Sequence, residues 1–247
     1  MVAGWPEGRP AGGPTIEAVS PIEPGRSALH GRLFDAVLFD LDGTLVDSTA
    51  AVRRSWVAWA NEHSVDARLL EGNHGLPAAQ IVASVLEPHR CQAALARIVE
   101  LEIADVAGIG VLPGAVEALA ALGPATSAIV TSCTQVLAQA RIAAAGLRAP
   151  NVVVTADDVV SGKPDPAPYL LGARRLGVDP ARCLVVEDAP SGLVAARRAG
   201  AATLAVSTTT AAHELDADAV VASLADVRLC LDADGVRVLP GRGAPAV

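Results

Sequence analysis

Leu33-Phe34-Asp35-Ala36-Val37-Leu38-Phe39-Asp40-Leu41-Asp42-Gly43-Thr44 is a largely apolar run that ends in two acids and a glycine. A run of this length and character reads as a buried strand of a parallel sheet. Residues two apart on an extended chain project to the same side, so Asp40 and Asp42 can face one reacting centre while Leu41 points away. Gly43 frees the backbone to turn. Two carboxylates at the carboxyl edge of a strand suit phosphoryl transfer, and Lys163, the only lysine in the chain, supplies the complementary charge.

Working outward, buried strands near 34–40, 127–131, 152–155, 183–187 and 202–206 alternate with helical stretches at 114–122, 134–145, 167–176 and 191–199. That alternation predicts an α/β fold with a doubly wound parallel sheet. In such sheets ligands bind outside the carboxyl ends of the strands, which is where each polar motif of this sequence falls. Between Ser48 and about Gly110 the strand pattern stops. Val52, Trp56, Trp59 and His63 recur there at helical spacing, as do Leu95, Ile98, Val99 and Val106. We expect residues 48–110 to form an inserted all-helical cap over a core made of residues 32–47 and 111–247. Residues 1–31, rich in Gly and Pro and without hydrophobic periodicity, read as a disordered tail. Val227 to Leu231 and Val236 to Leu239, around Asp232-Ala233-Asp234-Gly235, read as an edge hairpin.

Composition narrows the function classes. With 247 residues, 51% of them hydrophobic, the chain can bury one good core plus a small insertion. A net charge of -8, with the arginines scattered, argues against a nucleic-acid partner. No apolar stretch has the length of a membrane span, and no basic start leads into an apolar signal segment. Cys91, Cys133, Cys183 and Cys230 are widely spaced, which fits reduced thiols in a cytoplasm rather than a zinc site or disulfide framework. A small substrate is the expected partner.

Taken with Thr131-Ser132, Gly162-Lys163-Pro164 and Glu187-Asp188, in that order and spacing, the first motif resembles the haloacid dehalogenase superfamily over residues 33 to 225. The stretches Val130-Thr131-Ser132-Cys133-Thr134, Thr155-Ala156-Asp157-Asp158-Val159 and Val186-Glu187-Asp188-Ala189-Pro190-Ser191-Gly192 are similar to its sugar and polyol phosphatases. The resemblance implies that Asp40 is a nucleophile forming an aspartyl phosphate. It implies that Asp42 protonates the leaving alkoxide and then activates water. Glu187 and Asp188 would ligate Mg²⁺ together with the Asp40 carboxylate and the Asp42 backbone carbonyl. Lys163 would stabilise the transferring phosphoryl group. The Thr131 hydroxyl and the Ser132 N–H would hold a phosphate oxygen, the hydroxyl role going to Thr131 by register.

In the cap, Trp56 and Trp59 on one helical face read as core before they read as pocket. Glu71-Gly72-Asn73-His74-Gly75-Leu76 resembles a substrate loop, with Asn73 and His74 as sugar contacts, or else is an ordinary exposed turn. The phosphomutases of the same superfamily carry a histidine and an arginine where this chain has Val52 and Ala78, and their cap lysine has no counterpart here. The expectation is therefore a Mg²⁺-dependent hydrolase of small sugar, polyol or cyclitol phosphates. The alternatives are a beta-phosphoglucomutase-like mutase and a non-catalytic phosphosugar-binding module.

Overall fold

Apolar runs flanked by turn residues become the central layer of the molecule. The computed structural model describes residues 28–70 and 76–241. In chain order its main elements are β1 (Ala36–Phe39), β2 (Val46–Asp47), α1 (Thr49–His63), α2 (Ala78–Val85), α3 (Pro88–Ala104), β3 (Gly110–Val111), α4 (Ala115–Ala120), β4 (Ser127–Val130), α5 (Gln135–Ala145), β5 (Val152–Val154), α6 (Ala167–Leu176), β6 (Cys183–Glu187), α7 (Pro190–Arg198), β7 (Ala202–Val206), β8 (Ala219–Val221), β9 (Val227–Asp232) and β10 (Gly235–Pro240). Six strands form one parallel sheet in the order β5-β4-β1-β6-β7-β8. The α/β doubly wound reading is correct. The chain winds outward from β1 through β4 to β5, then returns to β6 on the other flank of β1. The strand order reverses at β1, and the crevice at such a reversal is where open α/β sheets hold ligands.

Period-two alternation divides the sheet between two apolar layers. Val37, Phe39, Ile129, Leu184, Val186 and Leu204 pack on one face. Ala36, Leu38, Ala128, Val130 and Val185 pack on the other, against Tyr169 and Ala195 of the covering helices. The central strands are buried on both faces, which is why their sequences run apolar without alternation.

Three features depart from the sequence reading. Ala219–Val221 is a sixth sheet strand, too short and too hemmed in by turns to declare itself. The terminal hairpin is not at the sheet edge. β9 and β10 form a separate two-stranded ribbon, joined to the core through Phe34, whose N–H donates to the Val236 carbonyl at 2.9 Å. Leu29, inside the stretch read as tail, is 1% exposed and belongs to the main apolar cluster, so the packed chain begins earlier than its Gly-rich context suggests. Residues 1–27 lie outside the described residues.

Between β2 and β3 lie α1, a short 3-10 turn at Ala67–Leu70, α2 and α3. They have an apolar cluster of their own, built from Trp59, Ala60, Val82, Ala94 and Ile98. The Trp59 indole N–H donates to the Ala94 carbonyl at 2.8 Å, tying α1 to α3. β2 and β3 pair antiparallel, Val46 opposite Val111 and Asp47 opposite Gly110, so the chain enters and leaves the helical segment side by side.

Candidate active site

β1, β4 and β6 are neighbours, so whatever follows each of them gathers at one edge of the sheet. Asp40 follows β1, Thr131 and Ser132 follow β4, and Glu187 and Asp188 close β6. Lys163 reaches the same point from the loop before α6 and is 2% exposed. Its three ammonium protons all have acceptors: Asp40 Oδ1 at 2.5 Å, Glu187 Oε1 at 2.7 Å and the Val130 carbonyl at 3.0 Å. Burial works against the charge on Lys163, but the Asp40 and Glu187 carboxylates outweigh it and hold the ammonium well above the usual lysine range.

Glu187 is fully committed. Oε1 accepts from Lys163 and from the Tyr169 hydroxyl at 3.0 Å, while Oε2 accepts from the Asp188 and Ala189 amides, each at 2.9 Å. Among the described residues, Asp40, Glu187 and Asp188 bring carboxylate oxygens within 4.8 Å of one another. Three buried acids against one ammonium leave negative charge in excess. Burial, the neighbouring Glu187 and Asp42 push Asp40 up to about 7 against the opposing pull of Lys163. Burial and the Glu187 and Asp40 charges likewise push Asp188 well above the carboxylate range. Such a donor set fits a hard divalent cation: oxygen ligands only, three acids set against the single ammonium of Lys163. Each carboxylate oxygen of Asp40 and Asp188 accepts at most one side-chain hydrogen bond and keeps a lone pair for an ion, whereas both oxygens of Glu187 already accept two.

Local sequence explains the fit. Gly43 lies at φ +86°, and a Cβ there would stand 2.2 Å from Asp188 Oδ2, so only glycine passes. Asp188 also accepts from the Thr44 hydroxyl at 3.3 Å and from the Thr209 hydroxyl. Thr209, Tyr169 and Gly192 were not anticipated. The only available sign of Thr209 was the threonine run that follows buried strand β7.

Thr131 and Ser132, directly after β4, both line the cavity. Thr131 Oγ1 accepts the Cys133 N–H at 3.1 Å and so caps the turn. Ser132 Oγ is buried with no partner and lines the cavity, as does Thr134 Oγ1. Accepting the Cys133 N–H leaves the Thr131 hydroxyl proton free to donate into the cavity.

Asp42 faces the helical segment. Its Oδ1 accepts from Ser48 Oγ at 2.6 Å, and its Oδ2 from Arg141 at 2.7 Å and from the Cys133 thiol at 3.0 Å. Arg141 also donates to Glu102 of α3 at 2.9 Å. Burial pushes the Glu102 carboxyl up against the pull of Arg141. All of these groups line a cavity of about 570 Å³ whose far wall comes from α1, α2 and α3. Val52, Trp56, Ala78, Ile81 and Leu95 form that wall, with Arg53 as an exposed cation on it. The tryptophan pair divides: Trp59 is core, whereas Trp56 lines the cavity. Asn73 and His74 lie outside the described residues.

Residues 34–200 match the family model described as haloacid dehalogenase-like hydrolase. Hexitol phosphatase A of Escherichia coli K12 is 38% identical over 205 residues, covering 80% of this chain and 95% of the relative. Validoxylamine A 7'-phosphate phosphatase of Streptomyces hygroscopicus subsp. limoneus is 35% identical, covering 79% and 97%. Among solved structures, a hydrolase from Pseudomonas syringae superposes with a TM-score of 0.71 at 26% identity, over 77% of this chain and 94% of that one.

Proposed function

This chain belongs to the haloacid dehalogenase-like hydrolase family, and on that premise we propose that it is a Mg²⁺-dependent phosphatase of small sugar, polyol or cyclitol phosphate monoesters. The observation that carries the reading is the junction of Asp40 with Lys163 at 2.5 Å, with a second acid, Asp42, two residues along the same strand end. The names of the hexitol and validoxylamine A 7'-phosphate relatives support the substrate class. A small-molecule partner is consistent with the net charge of -8. No helix among the described residues is long and apolar enough to cross a membrane.

In this mechanism Asp40 attacks phosphorus and carries the phosphoryl group as an aspartyl phosphate, dividing one difficult displacement into two. Asp42 gives a proton to the departing alkoxide and takes one from the attacking water. Lys163 holds Asp40 oriented and offsets charge on the transferring oxygens. The Thr131 hydroxyl and the Ser132 N–H hold a phosphate oxygen. Asp40, Asp188 and the Asp42 carbonyl, with Glu187 beside them, would hold Mg²⁺, which supplies charge neutralisation between nucleophile and phosphate. Residues 48–110 act as the cap that completes the alcohol pocket.

The test is phosphate release from a panel of hexitol, hexose, glycerol and cyclitol phosphates with Mg²⁺ present. Asp40→Asn should keep its fold and lose activity on all of them, because an amide cannot attack phosphorus. Turnover near wild type in that variant would sink the mechanism. Arg53 on the cavity wall is the one observation that favours a second phosphate handle, and so a mutase. Beta-glucose 1-phosphate separates the two: free glucose and inorganic phosphate support hydrolysis, whereas glucose 6-phosphate accumulating without phosphate release supports the mutase. A wild type inert on every ester would leave the binding-module reading in its place.

A further inference from the structure

Arg141 sits in the middle of α5 and is 5% exposed, yet it belongs to none of the motifs that carry the chemistry. Its guanidinium bridges two acids from different parts of the molecule: Asp42 on the core at 2.7 Å, and Glu102, 7% exposed and in the last turn of α3, at 2.9 Å. A buried arginine between two carboxylates costs desolvation on three groups, and apolar side chains of similar volume would serve stability equally well. Its retention at the cavity wall calls for another reason.

We propose that Arg141 is a positioning residue for Asp42, and that Glu102 makes this positioning depend on the helical cap. The proposal rests on the phosphatase reading, in which Asp42 transfers the proton to the leaving alcohol. A planar guanidinium donates from its two terminal nitrogens in fixed directions, so holding Glu102 with one sets the direction from which the other reaches Asp42. Ser48 and Cys133 fix the same carboxylate from its other sides, at 2.6 and 3.0 Å. Because Glu102 lies on α3, the direction of the fork is shared between the acid on the core and a helix of the cap. A proton donor displaced by about 1 Å from its acceptor can lose about a hundredfold in rate.

The discriminating experiment compares kcat/KM on two esters: the alkyl phosphate that wild type hydrolyses best, and p-nitrophenyl phosphate, whose phenolate departs without a proton. kcat/KM covers the steps through aspartyl-phosphate formation, so it isolates the acid role. Arg141→Gln should lose about a hundredfold on the alkyl ester and less than about threefold on the aryl ester. Asp42→Asn should give the same split, at least as large. Glu102→Gln, which leaves the Arg141–Asp42 pair in place, should give it in weaker form. Arg141→Lys should not restore the alkyl activity, since an ammonium lacks the fork. Equal losses on both esters, or no loss on either, would overturn the positioning role while leaving the phosphatase reading intact. If Arg141→Gln does not fold, Glu102→Gln decides by the same criterion. A wild type inactive on both esters would overturn the phosphatase reading and the positioning role with it.

Discussion

Lys163 does two things that are usually separate: it serves the chemistry and it holds the interior together. Its ammonium lies between Asp40 and Glu187, all three nearly removed from water, so deleting the charge leaves two buried acids facing each other. Lys163→Met should therefore destabilise the fold by about 3–5 kcal/mol as well as abolish activity. For a chain of this size that is a fall in Tm of about 10 °C, measurable by thermal unfolding. Activity lost at unchanged Tm would mean that the pair contributes nothing to folding. The lysine was legible because it is alone among arginines, and the acids because they end apolar strands. Arg141, Glu102 and Tyr169 were not legible. Each lies within a helix, where an arginine, an acid or a tyrosine is unremarkable until tertiary packing turns it toward the site.

At the level of elements, α7 shows how closely helix packing and chemistry are joined. Gly192 opens that helix directly over β6, and a Cβ on it would stand 1.6 Å from Glu187 Oε1. Alanine normally gains about 1 kcal/mol over glycine inside a helix. Here the displaced carboxylate has four hydrogen bonds to lose, so Gly192→Ala should instead cost about 2 kcal/mol or more and lower kcat through Lys163. Urea unfolding and phosphate release would both register it; a stabilised, fully active variant would contradict the packing. The long buried strands were readable for the same reason that α7 must pack closely: a sheet covered on both faces needs unbroken apolar runs. β2, β3 and β8 escaped because two or three residues carry no period, and their pairing is decided by what lies across from them.

Over the whole molecule, the excess of buried acid couples metal, protons and stability. Asp40, raised from 3.8 to about 7, keeps in the folded state a proton that the unfolded chain has released. Without metal, its contribution to stability falls as pH rises from about 4 to about 7. Mg²⁺ must displace that proton, so its affinity should strengthen with pH, by about tenfold between pH 6 and pH 8 for this group alone. Calorimetric titration at several pH values measures it directly, and an affinity that is flat or weakens over that range would remove Asp40 from the metal site. The paired β2 and β3 strands bear on something else. Adjacent strands of a ladder lie about 5 Å apart, so the two ends of the helical segment leave the core at the spacing of a single hairpin. To the backbone of the core, the segment is a single insertion closed at its base by one two-residue ladder. Its side chains are less separable: Ser48 donates to Asp42 at 2.6 Å, Glu102 accepts from Arg141 at 2.9 Å, and Ala51 and Ile109 pack in the main apolar cluster, so a grafted segment would have to supply these contacts as well as the paired strands. A scaffold joined in this way lets substrate preference diverge within one contiguous stretch of gene, as long as each new stretch keeps the side chains that hold Asp42.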